Sequence, residues 1–245
     1  MNPDTGQEAV PLSEGQRLTG VFHSPGAVFG DIAKYGKWII PLLIMVVISL
    51  GVVAAIQSRV PVDLMIAKIM ETNERMQQMS AEQRDAVIAQ QTKIIPIGMY
   101  AGALLGSAVI LFIAAGALLF IFNLLMDGKL KYKNALNIYS YAMLPPGIVG
   151  SLVMMLVLYL KAPDEIDIQN PLAFNAGAFL PVTSAAWLRS MMGSLDLFTF
   201  WTIFLLAVGF ARAIPKMTTG RAFGAILIPW FLWVLVKTGW AAMFG

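Results

Sequence analysis

The sequence predicts an all-α, polytopic membrane protein with five transmembrane helices, interfacial helices and an outer helical hairpin. The 245-residue chain is 58% hydrophobic and only 13% charged, with a mean hydropathy of +0.73, whereas soluble domains are nearer ~25% charged. Its central stretch, residues 97–126, contains no charged side chain. That stretch is longer than the roughly 20 apolar residues that cross a bilayer as a helix.

The residues before the first span are predicted to form a tail and a surface helix. Residues 1–20 are polar and without apolar periodicity, which predicts a disordered cytoplasmic tail before a single membrane domain over residues 21–245. Ser24 and Pro25 are typical of a helix start. The segment 25–38 is therefore interpreted as a short amphipathic helix on the membrane surface, with an extension of the first span as the alternative.

The predicted spans are about 38–57, 97–126, 135–160, 197–213 and 223–243. Proline inside a helix removes a hydrogen bond and clashes with the preceding turn. We therefore expect the helix to break or kink at Pro145 and Pro146 in the third span and at Pro229 in the fifth. Gly102 and Gly106 form a G-x-x-x-G pair, which favours close helix packing within the chain or between two copies of it.

The section 58–93 alternates in charge and carries apolar residues every three or four positions. This period predicts two amphipathic helices rather than disorder. Ser80 and Gln83 form a plausible capping box at the start of the second helix, which continues into the second span. Two interpretations of this outer hairpin stay open: a surface that binds a partner, and a connector packed on its own bundle.

Residues 161–195 are too interrupted by proline to span a bilayer. We expect a half-buried lid at the outer interface, with a re-entrant loop as the alternative. Asp164, Glu165 and Asp167 lie here and could hold a hard cation, but three clustered acids lack the ligand number that calcium needs. A solvated acidic loop is therefore the favoured interpretation.

The distribution of Lys and Arg predicts the topology. Short basic turns follow the second and fourth spans, whereas the loop after the third span is acidic. The positive-inside rule then places the N-terminus in the cytoplasm and the C-terminus outside. The same basic residues could attract anionic lipid headgroups at ~1 kcal/mol per charge. They are Lys129, Lys131, Lys133, Arg212, Lys216 and Arg221.

The sequence resembles the Yip family of Rab-interacting integral membrane proteins. The resemblance is carried by the segment 24–29 before Trp38 and Pro41, by 132–146, by the span entry 194–201 and by 209–222. It implies five spans and a cytoplasmic N-terminus. The long charged outer section resembles the bacterial members, which implies a bacterial inner membrane; GTPase binding is not carried over.

Residues that could do chemistry are few. The chain has no Cys and a single histidine, His23, which excludes disulfides and any multi-histidine metal site. No phosphate loop, nucleophile elbow or zinc-protease pair is present. Asp196 and Lys237 are both expected within the outer part of the bilayer, where unpaired charges are costly, so we predict a contact between them, directly or through one water. No metal or other cofactor, no nucleic acid and no enzymatic activity is expected.

These observations favour a non-enzymatic scaffold or accessory factor for other membrane proteins or for bilayer organisation. Its expected partners are membrane lipids and other membrane proteins, including a second copy of the chain. The alternative is a transporter or export-complex subunit that handles a lipid or small molecule, because interrupted helices line substrate sites in transporters. A polar cavity at mid-membrane depth would favour transport, and a dry bundle would favour the scaffold.

Overall fold

The computed structural model describes residues 10–72, 78–166, 172–181 and 183–244, which fold almost entirely as helices. The only β-type pairing in these ranges is an isolated bridge between Asn175 and Asp196. Short 3-10 turns cover Pro163–Glu165 and Ala176–Phe179. The α-helices are α1 (Glu14–His23), α2 (Pro25–Tyr35), α3 (Ile39–Arg59), α4 (Val62–Thr72), α5 (Ala81–Ala101), α6 (Ser107–Met126), α7 (Tyr132–Leu160), α8 (Ala186–Ser194), α9 (Leu197–Ala213) and α10 (Thr219–Phe244).

Four helical stretches are long and apolar enough to cross a membrane: α3, the continuous run from Ala81 to Met126, α7 and α10. The fifth predicted span, α9, is apolar but has 17 residues, about 25 Å of helix at 1.5 Å per residue. That length is at the lower limit for a span. The all-α, polytopic fold predicted from the sequence is confirmed.

Successive spans alternate in direction, which gives the molecule two ends. We call one end the N-terminal face: it carries α1, α2 and the turns 127–131 and 214–218. The other end, the opposite face, carries α4, the start of α5, and the segment from Pro163 to Asp196. The C-terminal end of α10 lies on the opposite face, where Lys237 contacts Ser194.

The prediction of a disordered tail over residues 1–20 is wrong for its second half. Ser13 caps α1, because its hydroxyl accepts from the Gln16 amide while the Gln16 side chain accepts from the Ser13 amide. This reciprocal capping box satisfies two amides that a helix start leaves free. Residues 1–9 lie outside the described ranges. The predicted helix after Pro25 is present as α2, and it packs on α7 and α9 rather than extending the first span.

A break at the three prolines, one of the two predicted outcomes, is wrong, whereas a kink there stays a prediction. Both α7 and α10 continue as α-helix through Pro145, Pro146 and Pro229. Pro145 and Pro146 are buried, so packing on neighbouring helices holds α7 in place although two of its amide donors are missing. Tertiary packing offsets the cost of proline here, as membrane helices allow.

The main apolar core joins α1, α2, α6, α7, α9 and α10. At its centre Phe122 of α6 stacks on Phe210 of α9, with ring centroids 4.1 Å apart. The adjacent Gly209 allows α9 to approach α2 and α7 closely, because a Cβ atom there would lie 2.4 Å from Ile138 and 3.1 Å from Phe29. The core therefore lies toward the N-terminal face.

The outer hairpin is made of α4 and α5, and the predicted capping box of Ser80 and Gln83 is confirmed. A second, smaller core packs Met65 of α4 with residues of α3 and α7. The Lys68 ammonium donates to the carbonyls of Asp164 and Ile166, which fixes α4 to the loop after α7. By contrast, no residue of α5 is buried. Residues 73–77, part of the predicted hairpin, lie outside the described ranges.

Candidate functional site on the N-terminal face

A network of polar side chains joins α1 and α2 to the bundle. Ser24 separates the two helices and Pro25 begins α2, where its missing N–H costs nothing. The helices pack so closely that a Cβ atom on Gly20 would lie 2.4 Å from Val28. We call α1 and α2 together the N-terminal hairpin.

A buried charge cluster holds this hairpin together. Arg17 is 4% exposed and makes two ion pairs, Nε to Asp31 Oδ1 at 2.5 Å and Nη1 to Glu14 Oε1 at 2.8 Å. Asp31 also accepts from the Leu12 amide at 3.0 Å. Glu14 in turn accepts a short hydrogen bond from the Tyr141 hydroxyl of α7. One buried cation therefore links α1, α2 and the third membrane helix.

The electrostatics of this cluster favour the charged state of Arg17. Burial by itself lowers the pKa of the guanidinium, but the hydrogen bonds and charges of Asp31 and Glu14 outweigh it, so the pKa is raised. Pairing of this kind is what makes a buried charge tolerable. Removing Arg17 would leave two partly buried carboxylates without a cation.

Two asparagines of α7 hold the end of α2. Asn134 donates to the Ala33 carbonyl at 2.7 Å and Asn137 donates to the same oxygen at 3.4 Å. The Asn137 side-chain oxygen accepts from the Trp38 amide at 3.2 Å. These bonds satisfy backbone groups that the end of α2 and the start of α3 leave free.

The two basic turns come together at the same face. A Cβ atom on Gly128 would lie 3.1 Å from Ile214, so the turns 127–131 and 214–218 are in contact. Lys129 and Lys216 both have positive φ, at 49° and 61°. Arg212 lies against the start of α2, since a Cβ atom on Gly26 would be 3.2 Å from its Nη2 atom. The six predicted basic residues are all exposed: Lys129, Lys131, Lys133, Arg212, Lys216 and Arg221.

Comparison with known proteins identifies the family. The model of the Yip1 domain matches residues 19–241, nearly the whole chain. The chain belongs to the Yip1 domain family. The resemblance seen in the sequence is thereby confirmed, and the protein is an integral membrane protein of that family. No match was found among curated proteins or among solved structures.

The remaining sites predicted in this Yip1 domain lie elsewhere. Gly102 and Gly106 begin and end a π-helical segment between α5 and α6. A Cβ atom at either glycine would meet nothing within 4 Å, so the pair does not mediate close packing within the chain. Packing against a second copy stays a prediction.

The direct Asp196–Lys237 ion pair is not formed. Asp196 caps α9, where its side chain accepts from the Thr199 amide at 2.9 Å. Lys237 instead donates to the Ser194 hydroxyl at 3.0 Å. Lys237 thus contacts a residue two positions before Asp196, whose carboxylate is engaged in capping α9. A contact between Asp196 and Lys237 through water stays a prediction.

The acidic loop shows no arrangement typical of a metal site. Asp164 and Glu165 lie in an exposed 3-10 turn, and Glu165 accepts from the Ala162 amide. Asp167 lies outside the described residues. Among the described parts of the chain, no group of three His, Cys, Asp or Glu side chains is placed to hold a metal ion. His23 is exposed at the end of α1.

Sequence reasoning missed the charge cluster of the Yip1 domain. Interpreting residues 1–20 as disordered leaves no helix to position Glu14 and Arg17 beside Asp31 and Tyr141. A usable signal was present: Ser13 and Gln16 have the same S-x-x-Q spacing as Ser80 and Gln83. That capping box predicts a helix start at residue 14, and the cluster follows from the helix.

Proposed function

We propose that this Yip1 domain acts as a non-enzymatic scaffold or accessory factor that organises other membrane proteins or the bilayer. The observation that carries the proposal is the apolar interior. In the described chain the buried polar and charged residues are Arg17, Asn137 and Ser140. They belong to α1 and to the first turns of α7, on the side of the N-terminal face. No polar path leads from them across the bundle in the described residues.

The transport alternative depended on interrupted helices. Because α7 and α10 run without interruption through their prolines, that argument no longer supports it. The cavity between α3, α6 and α7 is lined mainly by apolar side chains, whereas a site for a polar substrate needs convergent polar groups. A dry bundle of this kind favours the scaffold.

The outer part of α5 is the surface on which we expect a protein partner. Residues 81–93 form more than three turns of helix with no buried side chain. Val87 and Ile88 are half-buried, while Glu82 and Asp85 are exposed. A helix with a short apolar row and a charged face is suited to packing beside another helix. The second partner class is lipid, through the six basic residues of the N-terminal face.

A photocrosslinking experiment in native membranes tests the scaffold role. A photoreactive residue at Gln90, which is exposed on α5, is expected to give one discrete protein adduct. The same residue at Leu43, 56% exposed on α3, is the control and is expected to label lipid. Absence of a protein adduct from Gln90 and from neighbouring Gln83 would contradict the proposal for α5.

A reconstitution experiment tests the transport alternative separately. Purified protein in liposomes is expected to leave lipid scrambling and the release of small solutes at the protein-free rate. A rate that rises in proportion to protein content would overturn the scaffold proposal in favour of transport. We further propose a bacterial inner membrane with the N-terminal face in the cytoplasm, as the placement of Lys and Arg indicates.

A further inference from the structure

A cavity of about 100 Å³ lies between the first three spans. Its walls come from three helices: Pro41 and Met45 of α3, Ser107 and Ile110 of α6, and Tyr139 and Met143 of α7. Most of this lining is apolar. An apolar cavity of this order stays dry and accepts an apolar molecule instead of water.

The cavity opens sideways toward lipid. Ile110 lines it and is nevertheless 56% exposed. On α3, Leu43 and Val47 lie beside the lining residues and are 56% and 68% exposed. Because these surfaces belong to membrane spans, the molecules next to the opening are acyl chains. A lipid tail therefore needs no passage through water to enter.

Two hydroxyl groups on the cavity wall have no partner in the described part of the chain: those of Ser107 and Tyr139. Ser140 lies beside them, but its hydroxyl already donates to the Asn137 carbonyl. A molecule that is apolar along its length and carries an oxygen acceptor would satisfy both free hydroxyls. The ester group of a phospholipid is such an acceptor.

Lys37 precedes α3 at the end of that helix nearest the N-terminal face, four positions before the lining residue Pro41. The next residue, Trp38, packs edge-on against Phe112 of α6, with ring centroids 5.4 Å apart. This contact holds the backbone beside Lys37 against α6, the helix that supplies Ser107 and Ile110 to the cavity. Lys37 is exposed and has no carboxylate partner among the described residues, so it is available to a phosphate.

We propose that this cavity binds one acyl chain of an anionic membrane phospholipid, with the phosphate at Lys37. The apolar wall binds the chain, the Ser107 and Tyr139 hydroxyls meet the ester region, and Lys37 selects the negative headgroup. The inference goes beyond the scaffold role. It needs no partner protein, so either could fail without the other.

Photolabelling with a defined lipid tests the proposal. The protein is placed in nanodiscs that contain phosphatidylglycerol with a diazirine on one acyl chain, and labelled peptides are located by mass spectrometry. We expect the label to concentrate on peptides that contain Ile110 and Met143. Labelling spread evenly over the exposed faces, including the peptide of α10 that contains the 56% exposed Leu232, would overturn the proposal.

Filling the cavity provides the matched comparison. Ser107→Phe is expected to reduce labelling of the cavity peptides at least about fivefold, because its ring occupies the space of the acyl chain. Ile113→Phe is the control: Ile113 is on the same helix, is 68% exposed and does not line the cavity. Equal labelling of both variants would contradict the site. Met143→Trp on α7 fills the same space and replaces Ser107→Phe if that variant does not fold.

Headgroup selection is tested separately. Lys37→Gln is expected to remove the preference for phosphatidylglycerol over phosphatidylcholine at the cavity peptides. Lys133→Gln is the control, since Lys133 is an exposed cation of the turn before α7. A preference that survives in Lys37→Gln, or that is lost equally in Lys133→Gln, would show that Lys37 does not select the headgroup.

Discussion

The two ends of this Yip1 domain are built differently. On the N-terminal face, a buried arginine with two carboxylates and a tyrosine joins three helices, and side chains such as Phe29 and Ile32 are fully buried. On the opposite face, neither α5 nor α8 has a buried residue, and Lys237 makes one hydrogen bond while exposed to solvent or lipid headgroups.

The difference indicates a division of roles along the bundle. Buried polar pairs are costly to break and fix the relative positions of the helices they join. Exposed helices with few contacts open locally at a lower free energy, and binding surfaces are drawn from such regions. We therefore expect the N-terminal face to set the geometry and the opposite face to adapt to partners.

The largest effect is expected from Arg17→Met. The variant keeps the apolar stem but leaves Glu14 and Asp31, whose side chains are 23% and 16% exposed, without a cation. Because these carboxylates are only partly buried, we expect a cost of about 2–4 kcal/mol, below that for a fully buried pair. The measurement is thermal unfolding in detergent followed by circular dichroism. Lys129→Met is the control, because Lys129 and Asp127 are 3.5 Å apart with both side chains highly exposed, and such pairs contribute little. Equal melting temperatures for the two variants would refute the role of the cluster.

A smaller loss is expected from Gly209→Ala. The added Cβ atom would lie 2.4 Å from Ile138, and overpacking of this kind costs about 1–3 kcal/mol. Gly102→Ala is the matched control, since nothing lies within 4 Å of its Cβ position. There the gain in helix propensity should stabilise the monomer by about 0.5–1 kcal/mol. If Gly209→Ala proves no less stable than Gly102→Ala, the close packing at Gly209 is refuted.

Gly102→Ala also tests the remaining form of the G-x-x-x-G prediction. If two copies pack through Gly102 and Gly106, the variant should weaken a homo-oligomer in nanodiscs or detergent, as seen by light scattering or crosslinking. An unchanged oligomeric state would remove the role of this pair between copies.

On the opposite face, Asp196→Ala should cost about 1 kcal/mol, because α9 loses its N-cap. Asp196→Asn keeps a side-chain acceptor and should remain close to the parent protein in an unfolding titration with sodium dodecyl sulfate. If Asp196→Asn is as destabilising as Asp196→Ala, the charge of Asp196 rather than its capping hydrogen bond stabilises α9. The opposite face would then also depend on a charged group, as the N-terminal face does.

The smallest effect is expected from Lys237→Met, at no more than about 0.5–1 kcal/mol for one exposed hydrogen bond. Exchanging the charges of Asp196 and Lys237 should not restore stability to either single variant, since no direct ion pair joins them. Rescue by the charge exchange, measured by the same titration, would instead support a water-mediated pair.

The membrane spans could be predicted from the sequence because they are recognised by their length and hydrophobicity. Tertiary contacts do not change either property. It was sufficient for Ser80 and Gln83 because a capping box depends on local spacing alone. The prolines of α7 show the limit of local rules: their effect on the helix depends on what packs around them, and Pro145 and Pro146 are buried.

The charge sites required three-dimensional information. Arg17 and Asp31 are 14 positions apart, and Glu14 and Tyr141 are 127 apart, so no sequence pattern joins them once the tail is interpreted as disordered. Asp196 was predicted to pair with a lysine because unpaired charge in lipid is costly. Thr199 follows Asp196 by three positions, which is the spacing at which an N-cap side chain accepts from a backbone amide. The structure contains this local hydrogen bond in place of the ion pair.

Hydrogen–deuterium exchange in nanodiscs tests the contrast between the two faces most directly. Amides of Arg17–Val21 in α1 and of Asp85–Gln90 in α5 are both helical, so their rates, once divided by the intrinsic rate of each sequence, compare the protection that packing gives. We expect the α1 amides to exchange at least about a hundredfold more slowly, because the buried cluster holds them in place. Rates within about threefold of each other would contradict a rigid N-terminal face and an adaptable opposite face.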